Sequence, residues 1–72
     1  MCVLKVREVD GLWIEGDGFC LRARKARIDQ DFVDFYDEKG YVIATFDLRK
    51  FSLSFPTELR GRDKLVEEVT DV

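Results

Sequence analysis

Histidine is missing from this chain of 72 residues, and with it the side chain that most readily moves protons near neutral pH. Serine occurs only at Ser52 and Ser54, and neither sits in a G-x-S-x-G elbow. The two cysteines, Cys2 and Cys20, cannot supply the four ligands of a structural zinc site. Cys20 has Arg22 nearby, but no base that would activate its thiol. The carboxylates Asp29, Asp31, Asp34 and Asp37 lack the central glycine and closing glutamate of a calcium loop. Gly16-Asp17-Gly18 reads as a turn, because the further glycine and helix of a dinucleotide fingerprint are absent. The expectation is a protein with no catalytic residue, no metal and no cofactor.

No apolar run approaches the roughly 20 residues of a membrane helix. Residues 1–7 alternate apolar and basic side chains without the core of a signal peptide, so a cytoplasmic location is expected. Outside an oxidising compartment the two cysteines read as small buried hydrophobes with free thiols, a Cys2–Cys20 bridge being the alternative.

What the chain does contain is a globular mixture, 46% hydrophobic and 38% charged, in the length of one domain. A domain this small buries only about 60% of its unfolded surface, so a partner subunit would add appreciably to its stability. The net charge of −3 is unevenly spread. Residues 1–28 carry +2, 29–48 carry −5, 49–62 carry +3 and 63–72 carry −3. Such alternation suits pairing within the molecule or with an oppositely charged surface.

Residues 32–46, FVDFYDEKGYVIATF, form the most evident hairpin. A three-residue loop, Glu38, Lys39 and Gly40, suits a turn closed by a left-handed glycine. Pairing Asp37 with Tyr41 then sets Phe35 against Ile43 and Phe32 against Phe46. That register leaves both faces of the ribbon apolar, with Asp34 alone among Phe32, Tyr36, Ala44 and Phe46. A basic side chain from residues 22–27 is the expected partner for Asp34, since an unpaired buried carboxylate is costly.

Alternation also predicts strands over residues 2–9 and 12–15, joined by the two-residue turn Asp10-Gly11. Residues 19–28 predict a third strand whose phase slips at Arg24-Lys25, as a bulge would cause. Residues 51–55 alternate Phe, Ser, Leu, Ser and Phe and stop at Pro56, which marks an edge strand. The expected fold is mainly β, with five or six short antiparallel strands in a single curled sheet or barrel spanning residues 1–56. Residues 57–72 are expected to add a short C-terminal helix or flexible acidic tail to the same domain, with Asp63 as N-cap. The chain has the length of an SH3-like or Sm-like barrel but lacks the motif residues of either.

Six Phe, two Tyr and one Trp are many for one small core. The favoured function is therefore non-catalytic: an adaptor or inhibitor that binds a protein partner, or a second copy of itself, through exposed Trp13, Tyr36, Tyr41 and Phe51 ringed by charges. Domains of this size without chemistry are the kind that phages and mobile elements use against host machinery. The alternative is nucleic-acid binding by the basic strand residues Arg22, Arg24, Lys25 and Arg27, which the acidic net charge disfavours.

Overall fold

Period-two alternation dictates nearly all of the local structure. The computed structural model describes residues 2–69 and contains eight strands: β1 (Cys2–Glu8), β2 (Leu12–Gly16), β3 (Phe19–Ala23), β4 (Lys25–Asp29), β5 (Phe32–Tyr36), β6 (Val42–Asp47), β7 (Phe51–Ser54) and β8 (Val66–Val69). They form two four-stranded sheets, ordered β3-β2-β1-β7 and β6-β5-β4-β8. The expected single curled sheet or barrel is therefore not what forms. No helix among the described residues is long and apolar enough to cross a membrane.

The bend at Arg24 explains the division into two sheets. Ala23 pairs with Leu12 in the first sheet, whereas Lys25 pairs with Tyr36 in the second. Arg24 N–H donates to the Tyr36 carbonyl at 2.7 Å, anchoring the crossing. The anticipated slip is real, and it brings Ala23 and Ala26 into one core. Its effect is larger than a curl, because a strand bent this sharply leaves one sheet and enters the other.

Both sheets share one connectivity. β1, β2 and β3 make an antiparallel meander to which β7 adds in parallel along β1. β4, β5 and β6 repeat the arrangement, with β8 added in parallel along β4. The core lies between the sheets: Leu4, Val6, Leu12, Ile14 and Ala23 come from the first, and Ala26, Val33, Phe35 and Val66 from the second. Phe46 meets Phe35 and Phe51 edge-on, at centroid separations of 5.8 and 5.2 Å.

The C-terminal segment departs most from expectation. A 3-10 turn spans Thr57–Leu59, and β8 replaces the expected helix or tail. Asp63 has φ of 62°, so it is no helix N-cap. A two-turn helix is marginal on its own, whereas the open side of β4 offers bonds such as Ala26 N–H to the Leu65 carbonyl at 2.8 Å. Residues 70–72 of the expected tail lie outside the described residues. Two smaller corrections concern the first sheet. The first hairpin loop has three residues, Val9 to Gly11, with Asp10 and Gly11 both at positive φ. Cys2 and Cys20 are free, but both are exposed, because Cys2 sits at a strand end and Cys20 on the outer face of β3.

Candidate functional site

The turn joining β5 to β6 is fixed by one carboxylate. Asp37 Oδ1 accepts from the amides of Lys39 and Tyr41, each at 2.9 Å. Asp37 N–H donates to the Tyr41 carbonyl at 2.9 Å, and Gly40 N–H to the Asp37 carbonyl at 3.1 Å. Gly40 takes φ of 87°, a conformation that costs glycine little because it has no Cβ. This is the turn and the Asp37–Tyr41 pairing that the sequence predicts.

Beyond the turn the register changes. Tyr36 faces Val42, but Phe35 faces Ala44, Asp34 faces Thr45 and Val33 faces Phe46. Ile43 is the additional residue, a bulge that the simple pairing omits. Its consequence is chemical. Val33, Phe35, Ala44 and Phe46 share the inner face, and the outer face becomes mixed, with Phe32, Asp34, Tyr36 and Thr45. The expectation of two apolar faces gives way to one. Asp34 accepts from Thr45 Oγ1 at 2.7 Å, and not from a basic side chain, although Arg27 lies opposite it in the ladder.

What remains apolar and outside is concentrated at the turn end. Tyr41 is 68% exposed, Val42 52% and Ile43 46%. With half-buried Tyr36 facing Val42, they make a small apolar patch bordered by Asp37, Glu38 and Lys39. Further along the ribbon Arg49 lies over the Phe32 ring at 5.9 Å, and its guanidinium donates to Asp47 at 3.0 and 3.1 Å. Those bonds hold the Asp47 carboxyl below its ordinary range and push the Arg49 guanidinium up.

Of the four aromatics expected at the surface, Tyr41 is the one largely exposed. Phe51 is half-buried and packs against Phe46 in the core. Trp13 is half-buried beneath Arg22, whose guanidinium lies 5.5 Å from the ring centroid. Its Nε1–H donates to Glu15 Oε1 at 2.8 Å, and Arg7 meets the same oxygen at 2.7 Å. The Trp13 bond, followed by the Arg7 charge, lowers the Glu15 pKa from its ordinary 4.5. Val42 and Ile43 were not singled out by sequence. The signal that marks them is the unbroken apolar run Tyr41-Val42-Ile43-Ala44, which no alternating strand can bury on one side.

The basic ridge is exposed at Arg22, Arg24, Lys25 and Arg27, but acids accompany it. Lys25 pairs with Glu67 at 3.2 Å. A depression of about 270 Å³ beside Arg22 and Arg24 also holds Asp10, Asp37 and Glu38. Its neighbour, about 360 Å³, sets Glu67 among Lys25, Arg27 and Tyr36. Among the described residues no three Asp, Glu, Cys or His side chains gather as a metal would need. Comparison with protein-family models, characterised proteins and solved structures returns no match.

Proposed function

We propose that this chain is a non-catalytic docking module that binds a protein partner through Tyr41, Val42 and Ile43, with Tyr36 behind them. The observation that carries the reading is three consecutive apolar side chains exposed by 46% or more beside a turn that four hydrogen bonds already hold. Contact surfaces place apolar and aromatic side chains at their centre and charges at their rim. Asp37, Glu38 and Lys39 supply such a rim. A turn ordered before binding also avoids the entropy cost of ordering a loop.

Nucleic-acid binding through Arg22, Arg24, Lys25 and Arg27 has weaker support, because the carboxylates beside them offset the field that phosphate contacts require. The test is capture from a nuclease-treated extract by the immobilised chain and by its Val42→Ser/Ile43→Ser variant. The docking reading expects a protein that the variant loses and that moderate salt does not release. Capture that vanishes with nuclease, or that the variant keeps in full, would falsify it.

A further inference from the structure

The cavity of about 360 Å³ on the second sheet runs into the apolar patch. Tyr36 lines it, and Val42, the residue opposite Tyr36 in the ladder, is 52% exposed on the same face. Gly40, next to Tyr41, lines it as well. A segment lying on the patch therefore has a charged hollow beside it.

Three cations, Arg24, Lys25 and Arg27, and three carboxylates line that hollow, so as a whole it is neutral. They are not matched one to one. Lys25 pairs with Glu67 at 3.2 Å, and Asp37 Oδ1 is taken by the amides of Lys39 and Tyr41. Arg24 and Arg27 make no side-chain hydrogen bond or ion pair among the described residues. Asp34, opposite Arg27 in the ladder, accepts from Thr45 instead. Two guanidiniums and the Glu38 carboxylate are thus uncommitted, which leaves a local charge of +1. Both arginines rise from fixed backbone. Arg24 N–H donates to the Tyr36 carbonyl at 2.7 Å, and Arg27 lies between β5 and β8.

We infer that Arg24 and Arg27 receive a carboxylate of the docking partner, an Asp or Glu side chain that enters the hollow while an apolar residue of the same segment covers Val42 and Ile43. The inference rests on the docking reading and names the chemistry of the partner. A guanidinium presents paired donors whose fork matches a carboxylate, and such charge-assisted bonds are among the strong ones. A neutral hollow draws no polyanion from a distance, because phosphate chains bind through a net positive field. A single carboxylate needs no such field, only two forks without partners. The strand order also sets a spacing. β5 lies between β4 and β6, so Arg27 and Val42 stand two strands apart, roughly 10 Å. An extended chain covers that in about three residues. The partner segment therefore carries its acid about three positions from a large apolar side chain.

The test is selection from a random peptide library displayed on phage, followed by titration of the selected peptide in solution. The selected peptides are expected to share an acidic residue about three positions from an aromatic or large aliphatic one. Arg24→Gln/Arg27→Gln is expected to weaken the peptide at least about tenfold. Exchanging the peptide's acid for its amide is expected to cost the wild-type chain as much, and the glutamine variant little more. If that variant does not fold, Arg27→Lys, which keeps the charge and loses the fork, is expected to weaken binding in its place. Peptides without an acid at that spacing overturn the inference, as does a glutamine variant that binds as tightly. Where Val42→Ser/Ile43→Ser still abolishes binding of those peptides, the docking reading survives. Peptides that need the arginines and ignore Val42 and Ile43 give the opposite result: the carboxylate contact stands and the docking patch falls. A single-stranded oligothymidylate that binds and is lost with the two arginines gives the hollow to phosphate and overturns the inference. A library that yields no binder overturns it too, with the docking reading left to the extract capture.

Discussion

The rings of Phe19 and Phe46 stack 5.7 Å apart with their planes within 9°, joining the edge strand β3 of one sheet to the edge strand β6 of the other. Gly16 makes the contact fit. It pairs with Phe19 in the ladder, and a Cβ at Gly16 would lie 2.2 Å from the Phe19 ring. Gly16→Ala is therefore expected to push Phe19 off Phe46 and cost about 1–3 kcal/mol, as overpacking typically does. Urea denaturation measures this. Adding Phe19→Ala to Gly16→Ala should cost less than the sum of the single changes, because the clash disappears with the ring.

Core and patch should separate cleanly in a stability assay. Phe35 is fully buried, and Phe35→Ala is expected to cost about 3–5 kcal/mol, enough to unfold a marginal domain. Ile43→Ser and Val42→Ser touch exposed side chains and should each change stability by no more than about 0.5 kcal/mol. A large loss from either serine variant would mean that the patch belongs to the fold and not to a partner.

Acid should reach the first sheet late. The Trp13 indole, and then Arg7, hold Glu15 below its ordinary 4.5 in the folded state. A carboxyl depressed on folding contributes stability that is complete above its unfolded pKa and is lost as pH falls through the lower folded value. Carboxyl shifts followed by NMR should place the Glu15 midpoint below 4.5. Trp13→Phe should raise it. A wild-type Glu15 titrating at its ordinary value contradicts the Trp13 bond.

Both thiols should react with an aromatic disulfide reagent in native buffer, because Cys2 and Cys20 are exposed and unbridged. A lag that lasts until denaturant is added would mean that they are buried after all.

Local structure was legible in the residues wherever alternation is strict. Leu4 and Val6 against Lys5 and Arg7 identify β1, Ser52 and Ser54 identify β7, and Asp37 with Gly40 identifies the turn. The slip at Arg24 was readable too, through Ala23 and Ala26. Its outcome was not, since periodicity says which face a residue takes and nothing about which strands pair. The same limit hid β8. Leu65, Val66 and Val69 suit a helical stripe as well as a strand, and the open side of β4, distant in sequence, decides between them. The bulge at Ile43 mattered most for the site, because one inserted residue moves every later side chain to the other face.

The central claim, that residues 41–43 are where a partner sits, is tested most directly by photo-crosslinking in cells. A benzophenone amino acid replaces Tyr41 in one version of the chain and exposed Glu58, on the 3-10 turn, in another. The account predicts discrete adducts from position 41 and none from position 58, with an adduct of twice the chain's own mass reporting a second copy. No adduct at 41, or the same adducts from both positions, contradicts it.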